Sequence, residues 1–293
     1  MARFSNSMAL AKSAWAVLKA DKELLAIPVA SFVATLITTV LMGTATFMSL
    51  KEQAPPKTPS NLTPLIGDAS LTGTTLGPTP VTYVLGFVGY LLVTFIVTFF
   101  AAALVAGAYE RLTGGDPTLG SAFGVAGGRV GPIFLWSMLT GTVGFVLSQL
   151  ESRTGIFGQI AVRMVGTAWR VVTWLAVPVI VVEGTNPMDS LKRAGTLFKR
   201  TWGENLIAQG GLGILSFLVM FAGLIVAGAV FTAAPIVGIV LFVVWIAVAS
   251  TIIATLNGIY RTALYLYAAG QPVAWFDEQA LAGAFRPRTS ILH

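Results

Sequence analysis

Six apolar segments, each long enough to cross a lipid bilayer as an α-helix, make up about half of this chain. They comprise residues 24–48, 81–109, 132–150, 156–182, 205–231 and 235–260. A helix needs about 20 residues to cross roughly 30 Å of hydrocarbon, and no acidic residue lies at the centre of any segment. The pattern predicts an all-α, polytopic membrane protein with six transmembrane helices.

The composition agrees with a chain that is dissolved in lipid. Charged residues make up 10% of the 293 residues and hydrophobic residues 55%, whereas a typical soluble domain is about 25% charged. Six spans and short connections use nearly the whole length, so no separate soluble domain of about 100 residues fits. Residues 1–293 are therefore predicted to form a single membrane domain.

The side chains needed for several kinds of chemistry are missing from the spans. The chain has no Cys, its one His is His293, and no carboxylate lies inside a span. Intramembrane hydrolysis requires an activated nucleophile, a carboxylate pair or a metal site, and the sequence has no Walker A or His-Glu-x-x-His motif. It therefore predicts a protein that is not an enzyme and that holds no metal ion or other cofactor.

The distribution of Lys and Arg predicts the orientation in the membrane. An even number of spans places both termini on one side, and thirteen of the 18 basic residues lie there. The other five are Lys51, Lys57, Arg153, Arg163 and Arg170. Because positively charged loops are retained in the cytoplasm, both termini are predicted to be cytoplasmic. The net charge of +6 then belongs to a surface that faces anionic lipid head groups, and no nucleic-acid partner is predicted.

A polar residue followed by proline recurs after the second, fourth and sixth spans. The three turns are Gly115-Asp116-Pro117, Thr185-Asn186-Pro187 and Gly270-Gln271-Pro272. Asp and Asn cap helix N-termini and Pro is favoured in the first turn, so new helices are expected to begin at Pro117 and Pro187. The spans are thus predicted to form three pseudo-repeated hairpins, with repeat units at about residues 4–110, 117–184 and 187–270 and a cytoplasmic tail at residues 271–293.

Two segments that precede spans combine an apolar face with basic residues. The apolar positions are Phe4, Met8, Ala11, Trp15 and Leu18 in the first segment, and Met188, Leu191, Ala194, Leu197 and Phe198 in the second. Basic amphipathic helices of this kind lie at the membrane surface, although ordinary connecting helices show the same pattern. We predict cytoplasmic interfacial amphipathic helices here. Their candidate residues for binding anionic lipid head groups or a protein partner are Lys12, Lys19, Lys192, Arg193, Lys199 and Arg200.

The fourth span contains two arginines, Arg163 and Arg170, that no intramembrane carboxylate balances. Arg163 is expected at the outer interface, and Arg170 lies roughly 10 Å deeper along the helix. A charge at that depth is costly, so the two arginines are a candidate site for an anion or a lipid phosphate. The alternative is an arginine that extends outward along a tilted helix. Pro178 frees the carbonyl group of Trp174 and is expected to kink the span.

Two further regions are less specific. Residues 49–80 are rich in Pro, Thr, Ser and Gly without hydrophobic periodicity, which is typical of a flexible loop outside the cytoplasm. Asn257 and Arg261 end the sixth span beside three tyrosines, a combination typical of an aromatic and basic belt at the cytoplasmic surface, although the helix could also continue toward Ala269.

Three segments in the second half of the chain resemble a known family. They are VPVIVVEG at 177–184, SLKRAGTLFKRTWGENLIAQGGLG at 190–213 and GIYRTALYLYAAGQPVAWFDEQALAGAFRPR at 258–288. The chain resembles an uncharacterised family of six-span prokaryotic integral membrane proteins, and more distantly it is similar to the membrane module of some glycerophosphodiester phosphodiesterases. The catalytic barrel of those enzymes has no counterpart here. The resemblance implies a multi-pass protein of the bacterial cytoplasmic membrane and supplies no activity.

Three functions stay open on the sequence. The leading hypothesis is a non-enzymatic membrane protein that binds lipid or a protein partner, which includes a second copy of the chain. One alternative is a channel or transporter for a small solute such as an anion, with Arg170 in its path. The other is an accessory subunit of a larger membrane complex, with the outer loop or the tail as its contact surface.

Overall fold

The computed structural model of the protein describes residues 2–53, 75–202, 210–276 and Leu281. Within these residues the chain forms ten α-helices and one two-stranded antiparallel ladder. The helices are α1 (Ala2–Ala20), α2 (Ala26–Met48), α3 (Pro80–Leu112), α4 (Leu119–Gly128), α5 (Val130–Arg153), α6 (Ile156–Thr173), α7 (Ala176–Glu183), α8 (Pro187–Trp202), α9 (Gly210–Ala233) and α10 (Pro235–Ala268). A 3-10 helix at Lys22–Leu25 leads into α2, and the strands are β1 (Lys51–Gln53) and β2 (Thr75–Gly77).

In the part of the chain that the structure describes, six helical segments are long and apolar enough to cross a membrane. They are Lys22–Met48, Pro80–Leu112, Val130–Arg153, Ile156–Glu183, Ser216–Ala233 and Pro235–Ala268. The prediction of an all-α, polytopic membrane fold is thereby confirmed. The predicted start of the fifth span, at residue 205, lies outside the described residues. The helix that contains the sixth span continues to Ala268, in agreement with the alternative that it extends beyond Arg261.

The ends of alternate spans meet on one side of the helix bundle, which we call the terminal side. Asp21, before the first span, forms an ion pair with Arg111 at the end of the second. Glu183, at the end of the fourth span, accepts a hydrogen bond from Tyr265 near the end of the sixth. The backbone N–H of Ala274 donates to the carbonyl of Leu112, which brings the segment after the sixth span to the same side.

The opposite side holds the other helix ends. The hydroxyl of Ser49, after α2, donates to the Thr82 hydroxyl at 2.7 Å in the first turn of α3. The adjoining β1 pairs with β2 in a register that sets Glu52 opposite Leu76. The predicted irregular loop therefore begins and ends in a short ladder, while residues 54–74 lie outside the described residues. The ladder closes the loop at its base and fixes the distance between α2 and α3.

The best-packed part of the bundle is the terminal-side half of α3. Every residue from Ala102 to Ala108 is buried, which requires neighbours on all sides of the helix. These neighbours are α2, α4, α5, α7 and α10. Small side chains allow the close approach: a Cβ on Gly107 would lie 2.7 Å from the Leu24 side chain, and one on Gly258 would overlap Leu104.

One of the two predicted helix starts differs from the structure. α8 begins at Pro187 as predicted, with the Asn186 side chain accepting from the Asp189 N–H at 3.0 Å. α4 begins at Leu119 and not at Pro117, because Thr118 and Ser121 form a reciprocal capping box. Asp116, the expected cap, bonds to Arg111 instead.

The segment after α10 folds back onto the bundle. Gly270 adopts a positive φ of 71°, a conformation that glycine adopts without strain. The residues that follow, 271–273, are not helical. Phe276 and Leu281 are then buried against the core at the end of α3. At least this part of the predicted cytoplasmic tail is packed structure.

The fourth span is interrupted where proline predicts it. α6 ends at Thr173 and α7 begins at Ala176, so the break falls at Trp174 and Leu175. Pro178, four residues after Trp174, has no N–H to continue the helical ladder to that carbonyl. The break turns α7 into the core, where six consecutive residues, from Ala176 to Val181, are buried.

The two sides of the bundle can be distinguished by cysteine labelling, since the chain has no Cys of its own. Ala20 at the end of α1 and Ser152 near the end of α5 are both exposed. If the terminal side is cytoplasmic, a membrane-impermeant maleimide should label Ser152→Cys in intact cells and Ala20→Cys only after the membrane is opened. The reverse pattern would invert the predicted orientation, and equal labelling of both in intact cells would contradict the placement of the spans.

The turn between α9 and α10 depends on a glycine. A methyl group at Gly238 would lie 2.6 Å from the backbone nitrogen of Phe231, whereas one at Gly228 would meet nothing within 4 Å. We expect Gly238→Ala to cost about 1–3 kcal/mol through overpacking and to lower the melting temperature in detergent. Gly228→Ala should be neutral or slightly stabilising, because alanine favours helix. Equal melting temperatures for the two variants would show that the turn is not closely packed.

Candidate functional site

The polar contacts of the terminal side begin with an ion pair between spans. Asp21 is 7% exposed and accepts two hydrogen bonds from the Arg111 guanidinium. Arg111 also donates to Asp116 at 2.7 Å. One arginine thus joins the start of the first span to the turn that follows the second. Removal of either partner would leave a desolvated charge, which is strongly destabilising.

A second cluster forms around Glu183 at the end of α7. Its carboxylate accepts from Arg193 of α8 at 3.1 Å and from the Tyr265 hydroxyl of α10 at 3.0 Å. Gly184 follows with a φ of 67°, and a Cβ there would overlap the Arg129 guanidinium. The cluster therefore fixes the positions of α7, α8 and α10 relative to one another.

Glu110, the equivalent residue at the end of the second span, is also engaged. Its carboxylate accepts from the Ser121 hydroxyl at 2.7 Å, next to the capping box that starts α4. The structure pairs Glu183 with Arg193 and gives Glu110 a serine, so three carboxylates on this side (Asp21, Glu110 and Glu183) make contacts within the bundle.

The predicted lysines point away from these contacts. Lys12 and Lys19 on α1 are exposed, as are Lys192 and Lys199 on α8. Arg193 differs, because its guanidinium bonds to Glu183, and the side chain of Arg200 lies outside the described residues. The candidate set therefore separates into four exposed lysines and one arginine with a structural partner.

The buried face of α1 agrees with the predicted stripe at Ala11 and Leu18 and differs from it at Trp15. The buried residues are Leu10, Ala11, Ala14, Val17 and Leu18. Trp15 was expected on the apolar face but is 41% exposed, and the Lys19 ammonium lies 6.0 Å from its ring centroid. The small residue Ala14 lies at the centre of the face that packs on α9 and α10, which leaves Trp15 at its edge. The side chains of Phe4 and Met8 lie outside the described residues.

The two arginines of the fourth span have different hydrogen-bond partners among the described residues. Arg163 donates to Glu151 at 2.7 Å, which joins α6 to α5 at the opposite side. Arg170 is exposed, and its Nε donates to the Gly166 carbonyl at 3.3 Å on the same helix. Glu151 lies one residue beyond the predicted end of the third span, so it was not among the residues inside the spans, which contain no carboxylate.

Arg261, which the sequence placed in a surface belt, is a functional candidate in the structure. It lies two turns before the end of α10, inside a helix that the belt interpretation ended near Tyr260. Its Nε is buried and has no hydrogen-bond partner among the described residues. The signal available from the sequence was the four-residue spacing of Asn257 and Arg261, which places both on one helix face.

Comparison with known proteins identifies a family. The model of a family of unknown function, DUF6159, matches residues 81–274, well over half of the 293 residues, and the chain therefore belongs to this family. The resemblance to an uncharacterised family is confirmed, whereas no match supports the similarity to the membrane module of glycerophosphodiester phosphodiesterases. No curated protein and no solved structure matches the chain.

The ion pair between Asp21 and Arg111 should be important for stability. The Arg111 side chain is 18% exposed and that of Asp21 is 7% exposed. We expect Asp21→Asn to cost on the order of 3 kcal/mol, measured as a lower melting temperature in detergent. The matched control is Glu151→Gln, which removes the partner of Arg163 at the exposed opposite side and should cost at most about 1 kcal/mol. Equal losses in both variants would contradict the burial of Asp21.

Proposed function

We propose that this member of the DUF6159 family is a non-enzymatic membrane protein that binds anionic lipid at the terminal side. The binding surface consists of Lys12 and Lys19 on α1 and Lys192 and Lys199 on α8, and we call it the lysine surface. Each helix carries its two lysines seven residues apart, which is two helical turns or roughly 10 Å. In this proposal the terminal side is the cytoplasmic one, in accordance with the distribution of positive charge.

The proposal rests on one observation, the different placement of three carboxylates (Asp21, Glu110 and Glu183) and the four lysines. Asp21, Glu110 and Glu183 make their contacts with groups of the bundle itself, while the four lysines are exposed. Asp189 lies 3.7 Å from Lys192, but both side chains are more than half exposed, and such pairs contribute little. The outward charge of the two helices is therefore positive, which favours anionic head groups over zwitterionic ones.

The supporting helices hold the lysines in place. Both α1 and α8 pack on α10. On α8 the buried residues include Ala194 and Leu197, on the face opposite the water-exposed lysines. A Lys near an anionic membrane surface is worth about 1 kcal/mol, so four together supply roughly 4 kcal/mol. An interaction free energy of this size is enough to enrich the surrounding lipid in anionic molecules. Because the lysines are exposed, salt screens the interaction and weakens it.

Transport through a path at Arg170 receives no support from the side-chain positions. Arg170 is exposed and bonds to a backbone carbonyl of its own helix, which favours the alternative of an arginine that extends outward. Its charge is then satisfied by the interface and the helix. A role as a subunit of a larger complex rests on no particular contact in the described residues, so lipid binding is the function we propose.

Replacement of the four lysines tests the lysine surface. Protein reconstituted in nanodiscs of mixed phosphatidylglycerol and phosphatidylcholine should retain phosphatidylglycerol preferentially when extracted, as measured by lipid mass spectrometry. The variant with Lys12, Lys19, Lys192 and Lys199 all changed to Gln should lose most of this preference because the outward positive charge is gone. The preference of the wild-type protein should also fall as salt is raised.

The matched control carries Lys51→Gln and Arg153→Gln, which remove two exposed charges on the opposite side. It should keep the wild-type preference for phosphatidylglycerol. The proposal fails if the lysine variant and the control retain the same lipid mixture as the wild-type protein. Loss of the preference in the control alone would place the lipid-binding surface on the opposite side.

A further inference from the structure

A cavity of about 220 Å³ lies between α2, α3 and α10, beside the break in the fourth span. Its polar lining side chains are Ser31 of α2, Asn257 and Arg261 of α10, and Trp174 at the break. The remaining walls are apolar and come mainly from α3. Among the described residues no Asp or Glu lines the cavity, and the guanidinium is the one charged group there.

The cavity lies at the depth of lipid head groups. If α10 enters the hydrocarbon at its first residue, Pro235, about 20 residues carry it across, to a point near Thr255. Asn257 and Arg261 then lie roughly 3–9 Å beyond the hydrocarbon, where phosphate and glycerol groups are found. Arg261 is also one turn before Tyr265, which belongs to the terminal-side contacts through Glu183.

The charge of Arg261 has no carboxylate to balance it among the described residues that face it. Its Nε is buried without a hydrogen-bond acceptor. The carboxylates at neighbouring helix ends are already engaged, Asp21 with Arg111 and Glu183 with Arg193 and Tyr265. A buried donor without an acceptor is costly, and the cost disappears when an oxyanion enters the cavity and accepts from the guanidinium.

The surroundings favour a phosphodiester over a free phosphate ion. One guanidinium balances the single charge of a phosphodiester, whereas a phosphate with a second ionisation near pH 6 carries close to two charges at pH 7. A second cavity of about 280 Å³ also borders Asn257, and its lining is almost entirely apolar, with Ile252, Leu256 and Val219 among it. Head group and acyl chain thus find adjoining spaces, and the exposed residues Ala254 and Asn257 lie at the open edge.

We propose that this cavity binds the phosphodiester group of a membrane phospholipid, with Arg261 as the anion-binding residue and an acyl chain in the adjoining apolar space. The inference deepens the proposed function, on which it rests for the choice of lipid as ligand. It adds a site for a single lipid molecule that is defined by contact with one buried charge. The lysine surface, in contrast, acts through exposed charges on other helices.

Direct binding of a soluble phospholipid tests the site. Delipidated protein in a maltoside detergent is titrated with dihexanoyl phosphatidylglycerol, and the dissociation constant is measured by calorimetry and by native mass spectrometry. We expect one lipid per chain, and Arg261→Gln should weaken binding by roughly 10–100-fold because a charge-assisted contact is lost. Arg261→Lys should bind with intermediate strength, since the charge remains without the guanidinium fork. Arg153→Gln, an exposed arginine at the opposite side, should bind as the wild-type protein does.

A second variant covers the case in which Arg261→Gln does not fold. Ser31→Leu places a larger side chain on α2 that fills part of the cavity, and it leaves the guanidinium in place. It should therefore weaken lipid binding at least tenfold without lowering the melting temperature. Wild-type affinity in Ser31→Leu, or in a folded Arg261→Gln, would overturn the proposal. It would also be overturned if 10 mM inorganic phosphate displaced the lipid, because the cavity would then be a site for the free ion.

The two lipid proposals can fail separately. The variant with the four lysines changed to Gln should keep tight binding of one dihexanoyl phosphatidylglycerol if the cavity is the site, even when its preference for anionic lipid in nanodiscs is lost. Dihexanoyl phosphatidylcholine, which carries the same phosphodiester, should bind the cavity within a few-fold of the anionic lipid. A cavity that took only the anionic lipid and lost it in the lysine variant would contradict the inference and leave the lysine surface in place.

Discussion

Close packing around the terminal-side half of α3 is the constraint on which the rest of the structure depends. Lipid chains are as apolar as the helices, so burial alone does not hold membrane helices together, and small residues that let backbones approach carry much of the association. The run from Ala102 to Ala108 supplies such a surface on every side. Gly107 receives the Leu24 side chain, and Leu104 itself fits against Gly258. Larger residues at these points would push α2 and α10 away and open the bundle.

The polar contacts follow from where that packing ends. At the terminal side the crowded helices bring together charges from distant parts of the chain, as Asp21 and Arg111 show. Because these groups are shielded from solvent, their hydrogen bonds are strong, and a partner left unpaired is costly. Away from the terminal side the spans are less buried. Ile27, in the first turn of α2, is the buried residue of that helix, and most buried residues of α10 lie between Thr255 and Leu266. The molecule therefore has one end at which closely packed helices hold several charged side chains in fixed positions, and both proposed lipid sites lie there.

Hydropathy predicts the part of the fold that depends on single helices. Length and apolarity locate all six spans, and Asn186 with Pro187 locates the start of α8, because these signals are local. The start of α4 was missed because Thr118 competes with Asp116 as the cap, and Asp116 is occupied by Arg111. The exposure of Trp15 depends on how α1 packs on α10. The cavity beside Arg261 is formed with residues of α2, α3 and the break in the fourth span, and no pattern within α10 contains that information.

A phospholipid at Arg261 would have a structural consequence beyond its own binding energy. The cavity borders α2, α3, α10 and the break in the fourth span, so a lipid there touches elements from all three predicted hairpins. The guanidinium would then be neutralised without a protein carboxylate, and the cost of burying it would be offset only while the lipid stays. A chain with a permanent acidic partner for Arg261 would be as stable without lipid. Arg261, whose Nε has no acceptor among the described residues, therefore does not act through stability alone. Its position is better explained if the packing of the hairpins depends on a bound membrane lipid.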